Sequence, residues 1–159
     1  DPARQNVIVA PSDDVEFVTT LVSKLKPLAN KYNIRLVGMG AWYGMPSVST
    51  SDLEVLHHTY AAPAYFDLTD PRTHAFATAF REKAHTDVDE FALLGFDITF
   101  FYLKALYTQG LSFADHFDQV RTEPLHMGFR MSRTGPENGF RNEYAIMLQQ
   151  EDLRLVRLQ

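Results

Sequence analysis

The sequence predicts an α/β fold: a parallel β-α-β-α-β sheet layer, long helices, and a C-terminal antiparallel hairpin. Three observations carry that prediction. Short β-branched apolar runs alternate with helical periodicity early in the chain, two helical patterns follow in succession, and strand patterns return around a Gly/Pro/Asn loop near the end.

Asn6-Val7-Ile8-Val9-Ala10 has the apolar, β-branched character of a strand buried on both faces. Pro11-Ser12 turns the chain. Asp13 and Glu16 stand at capping-box spacing, and a helix is expected from there to about Asn30. Val15, Val18, Leu21, Val22, Leu25 and Ala29 form its apolar face, and Pro27 bends or restarts the last turn. Ile34-Arg35-Leu36-Val37 is a second strand, closed by Gly38-Met39-Gly40 with two permissive residues. Ser51 with Glu54 gives another capping box and a short helix through His57. Thr59 to Phe66 reads as a third strand that Pro63 places at an edge or a crossover. Short connections in this order imply a parallel sheet.

Asp70-Pro71 opens the next helix, with Pro early enough that its missing N–H does no harm and with Phe76, Phe80 and Ala84 as the apolar face. A longer helix runs from about Val88 to Gln109 and closes on Gly110. It is apolar on most sides, which predicts burial between layers. Ser112 is expected to cap a further helix to about Val120. Phe129 to Ser132, Tyr144 to Leu148 and Leu153 to Leu158 read as strands, the last two joined by a tight Gln-Glu-Asp turn.

The residues Val7-Ile8-Val9-Ala10-Pro11-Ser12, Gly38-Met39-Gly40-Ala41-Trp42, Tyr65-Phe66-Asp67 and Leu94-Gly95-Phe96-Asp97 recur in a telling order. Together with Phe76, Phe80 and Ala105-Leu106, that order resembles the second half of the type I periplasmic binding proteins, the branched-chain amino acid receptors and their relatives. The Gly95-Phe96-Asp97 element stands where that family commonly has Gly-Tyr-Asp. The resemblance implies one module that is part of a bilobed type I periplasmic-binding-protein fold. Residues 1–68 would be a segment of one α/β lobe, residues 69–125 a helical segment of the other, and residues 126–159 strands near the hinge. The opening half of the architecture would be missing. It also implies a non-catalytic solute-binding or scaffold role in the periplasm or cell envelope, of the kind that serves ABC-type transport.

Composition narrows the function classes. The 159 residues, 45% of them hydrophobic, suffice for one domain with a real core. A formal charge of −5 with scattered Lys and Arg gives no footprint for nucleic acid. The absence of cysteine removes disulfides, thiolate chemistry and cysteine-type zinc sites. No uninterrupted apolar run reaches the roughly 18 residues of a membrane span, and no signal peptide is visible. No cofactor or metal is expected. The six histidines are scattered apart from His57-His58. Adjacent helix residues diverge by about 100°, so that pair reads as a surface or helix-end feature and not as a chelate. No nucleophile elbow, zinc-protease helix, phosphate loop or dinucleotide fingerprint is present.

The candidate ligand-binding residues are those expected at strand ends: Ser12, Asp13, Trp42, Tyr43 and Asp67. They would make a polar and aromatic cleft wall, with the indole stacking on a sugar or apolar ligand. Capping alone accounts well for Asp13 and Thr69, whereas Trp42 and Tyr43 are evenly open to packing or binding. The family's amino acid receptors commonly place an acidic residue near the stretch matching Gly40-Ala41-Trp42, and none stands there. That favours a peptide or glycan ligand, or a degenerate binding fold that contacts an envelope protein partner. A weaker alternative is a receiver-like phosphoacceptor in which Asp13, Asp14 and Asp67 hold Mg²⁺.

Overall fold

The structure, a computed structural model, describes residues 1–152 and 154–158. In chain order its elements are β1 (Gln5–Val9), α1 (Val15–Leu25), β2 (Asn33–Gly38), α2 (Thr50–Val55), β3 (Thr59–Ala62), α3 (Pro71–Ala84), α4 (Glu90–Gln109), β4 (Met131–Ser132), β5 (Arg141–Asn142), β6 (Ile146–Glu151) and β7 (Arg154–Arg157). They form two compact units, residues 1–62 with 146–159, and residues 63–145. Residues 126–145 thus cluster with the helices and residues 146–159 with the parallel strands, where the sequence reading took 126–159 together.

The first unit carries the predicted α/β layer. Its sheet runs β1-β2-β3-β6-β7, with β1, β2 and β3 parallel and β6 and β7 an antiparallel hairpin added beside β3. Val18 and Val22 of α1 pack on Ile34 and Leu36 of β2, joined by Trp42, Leu53 and Leu56, to make one core. Pro27 does restart the end of α1, as a 3-10 turn over Lys26–Leu28. Residue Leu153, where the last strand was expected to begin, lies outside the described residues.

Several local expectations are corrected. β1 has a neighbour on one side only, and Val7 and Val9 are 54% and 66% exposed, so it is an edge strand and not one buried on both faces. β3 lies in the middle of the sheet; it stops at Ala62, and Pro63 falls just past the last paired residue, where its missing N–H removes no ladder bond. Asp14, not Asp13, caps α1: the Phe17 N–H donates to Asp14 Oδ1 at 2.7 Å. The start moves because the Asp14 N–H is already turned onto Ser12 Oγ at 3.2 Å, which places Asp14 in the extended conformation a cap requires. α2 begins after Ser49 with no side-chain cap, since Ser49 and Ser51 bond each other, Oγ to Oγ, at 2.6 Å.

In the second unit, α3 starts as predicted, with the Arg72 and Thr73 N–H groups on the Asp70 carboxylate. Asp89 caps α4, and Gly110 ends it with φ +64°, a conformation that favours glycine. α4 is not sandwiched between layers. It buries a single stripe, Leu93, Asp97, Phe101 and Ala105, at every fourth residue. Phe91, Leu103 and Tyr107 are exposed, the last at 89%. By length and composition alone, the stretch of residues 90–119 contains a helix apolar enough to cross a membrane. After α4 comes a 3-10 segment, Gly110–Gln119, in place of the α-helix expected after Ser112. Phe101, Phe117, Phe129 and Phe140 close the core of this unit. The strand expected from Phe129 shortens to β4, which pairs with β5, a strand the sequence did not signal.

Candidate functional site

The loops that follow β1 and β2 belong to adjacent parallel strands, so they emerge side by side at the C-terminal ends of those strands. One bond ties them: the Trp42 indole N–H donates to the Ser12 carbonyl at 2.8 Å. Ser12 is half-buried, Asp13 exposed and Tyr43 half-buried. Trp42 itself is fully buried in the core of the unit. This corrects the cleft-stacking role for the indole, whose faces are covered by protein and are not offered to a sugar. The Gly38-Met39-Gly40 turn explains how it gets there. A Cβ on Gly38 would sit 2.3 Å from the indole ring, and one on Gly40 would sit 2.7 Å from the Tyr60 ring. Neither glycine has positive φ. They serve by leaving room for rings, and not by backbone permissiveness.

Beneath this turn lies an aromatic and polar knot. Trp42 stacks on His58 at 4.7 Å between centroids, Tyr60 also stacks on His58 at 5.8 Å, and the Tyr43 hydroxyl bonds His58 Nδ1 at 3.0 Å. His58 is wholly buried, and its Nε2 has no partner among the described residues. Burial pushes its pKa down from 6.5 to about 4, because a charged ring there would lose its water without gaining a carboxylate. Burial, and then the neighbouring Tyr60, push the Tyr43 phenol up, so Tyr43 stays protonated. The side chains of Gln149 and Gln150 on β6 also place polar atoms in the interior without partners among the described residues. The His57-His58 pair therefore divides: His57 takes a left-handed turn (φ +47°) and faces outward at the end of α2, while His58 is core. The expectation of a surface pair fails for His58, since the backbone reversal at His57 sends the next side chain inward.

Asp67 is not at a strand end. It follows β3 by five positions and belongs to the second unit, where its carboxylate accepts the Thr69 N–H at 2.8 Å and the Thr69 hydroxyl at 2.7 Å. Each carboxylate of the receiver-like alternative has its own local setting: Asp14 caps a helix, Asp13 is exposed, and Asp67 holds its own turn. Among the described residues no three His, Cys, Asp or Glu side chains stand where they would hold a metal ion.

The sequence reading assigned no role to Asp97, a buried carboxylate of the second unit. It is 2% exposed and accepts three backbone N–H groups, from Leu125 on one oxygen and from His126 and Met127 on the other, each at 2.8 Å. The His126 carbonyl in turn accepts the Tyr65 N–H at 2.9 Å. The signal was available: an acid in the middle of a long apolar helix needs buried donors.

No family model matches the chain, and no curated protein matches it in sequence. Among solved structures it is similar to an ABC transporter substrate-binding protein from Desulfitobacterium hafniense, at 17% identity and a TM-score of 0.48 over 89% of this chain and 40% of that one. It is likewise similar to the crystal structure of an ABC transporter substrate-binding protein from the same organism in complex with Leu, at 20% identity and a TM-score of 0.48 over 96% of this chain and 43% of that one. The chain thus spans about two fifths of the length of these structures, 40% and 43%.

Proposed function

We propose that this chain is a non-catalytic ligand-binding module of solute-binding type from the periplasm or cell envelope, with Ser12, Asp13 and Tyr43 as ligand contacts. The observation that carries the reading is the Trp42–Ser12 bond, which holds two neighbouring loops in fixed register at the sheet end where open α/β sheets receive ligands. Trp42 is then a positioning residue. The proposal does not draw on Asp67, which belongs to the second unit. A peptide or glycan is a better fit than a free amino acid. The carboxylate among these contacts is Asp13, which is solvent-exposed, and an ammonium paired there gains little.

Thermal melting in the presence of amino acids, short peptides and cell-wall glycan fragments tests the reading. A bound class raises the melting temperature through linkage, and Asp13→Asn reduces that rise while leaving the unliganded midpoint in place. No shift with any class ends the small-ligand reading. A second reading, contact with an envelope protein partner, is favoured by the exposure of Phe91, Tyr107 and Leu111, the last at 95%. It predicts a cross-linked complex that Tyr107→Ser and Leu111→Ser abolish.

A further inference from the structure

The second unit holds a cavity of about 580 Å³ beside α3 and α4, remote in sequence from the Ser12 and Tyr43 loops. Three rings, Phe76, Phe96 and Phe100, form its apolar floor: Phe76 lies 4.8 Å from Phe96, and Phe96 stacks on Phe100 at 5.7 Å. Phe96 and Phe100 are 37% and 42% exposed, so the rings are open to a ligand. The rim is charged. Arg72, Lys104 and Arg121 line it together with one acid, Glu123. Arg72 already neutralises that acid, guanidinium to carboxylate, at 2.7 Å. Arg121 is turned onto the carbonyls of Asp118 and Val120, which fixes its guanidinium without discharging it. Lys104 has no ion-pair partner among the described residues. The lining therefore keeps a surplus of positive charge over an aromatic floor. The same three rings also line a shallower depression of about 410 Å³ that extends over Gly95, where an added Cβ would meet nothing within 4 Å.

We infer that this cavity binds an organic monocarboxylate with an apolar or aromatic body, its carboxylate on Lys104 and its body across Phe76, Phe96 and Phe100. The size fits: ligand cavities run from about 300 to 1,000 Å³ and combine apolar walls with a few placed polar groups. The charge pattern selects the class. A zwitterion would find its ammonium facing cations, since the one carboxylate on the rim is taken by Arg72. A neutral molecule would leave the Lys104 ammonium unused. The Gly95 depression would take the end of a longer chain. This site goes beyond the proposed function, whose contacts lie in the other unit.

Calorimetric titration with 4-phenylbutyrate, and with 4-phenylbutan-1-ol as the neutral isostere, tests the inference on the intact chain. The acid should bind about threefold more tightly than the alcohol, the worth of an ion pair to the solvent-exposed Lys104. Lys104→Gln should remove that preference and leave the alcohol's binding unchanged. Added salt at 1 M, on the order of a 3 Å screening length, should weaken the acid alone. Gly95→Leu, which fills the depression and suits a helix, should weaken decanoate more than 4-phenylbutyrate. Equal affinity for acid and alcohol overturns the inference, as does retention of the preference in Lys104→Gln. So does a self-associated protein whose dissociation, and not whose ligand binding, responds to Gly95→Leu. Because Asp13→Asn should not affect any of these readouts, failure here is distinguishable from failure of the strand-end site.

Discussion

Asp97 and His58 are both polar residues sealed in apolar surroundings, and they solve the burial problem in opposite ways. Asp97 collects three backbone N–H groups, which fastens residues 125–127 to the middle of α4. His58 gives its charge up and stays neutral against the rings of Trp42 and Tyr60. Asp97→Asn replaces one acceptor oxygen with a donor that faces the same N–H groups. It should lower stability by about 2–3 kcal/mol in urea denaturation. A loss below about 0.5 kcal/mol would mean that those amides find other partners. The acid was readable in the sequence as an oddity within an apolar helix, but its donors lie some thirty positions away on a segment without periodicity. No local pattern joins the two.

At the scale of elements, α1 shows how one residue of register decides which side chain matters. Asp13 and Asp14 are adjacent acids before the same apolar face, and the capping-box spacing selects Asp13. The turn at Ser12 selects Asp14. Asp14→Ala should therefore destabilise by about 1 kcal/mol, the usual worth of an N-cap, while Asp13→Ala should stay within about 0.5 kcal/mol; paired chemical denaturation curves measure both. The apolar period of α1, the start of α3 and the close of α4 on Gly110 were legible because they depend on neighbours three or four residues away. The exposure of β1 and the central place of β3 were not. A strand's position in a sheet depends on which segment pairs with it, and β3 is covered by β6, more than eighty residues later.

At the scale of the molecule, the two units carry separate cores, and the single tryptophan reports on one of them. Trp42 lies against His58, whose folded pKa of about 4 is below its ordinary 6.5. The unfolded chain therefore takes up a proton that the folded chain refuses between those values. The contribution of neutral His58 is complete above pH 6.5, falls as the pH drops toward 4 and is gone below it. Its size is at most about 3 kcal/mol. Urea unfolding followed by tryptophan fluorescence should show a midpoint that falls from pH 7 to pH 4.5. His58→Gln should flatten that dependence. An unchanged slope in the variant would place the acid sensitivity on other groups.

The sequence by itself determined the α/β class, the parallel order of the first three strands, the start of α3, the end of α4 and the closing hairpin. Each follows from short-range rules of periodicity, capping and turn chemistry. Tertiary structure alone decided that Trp42 is core and not a cleft wall, that Asp67 clusters with the helical unit, and that α4 buries one stripe and exposes the rest. Those outcomes depend on which surfaces meet after the chain has folded back on itself. Hydrophobicity tells that a face prefers contact, and only the assembled packing supplies the contact.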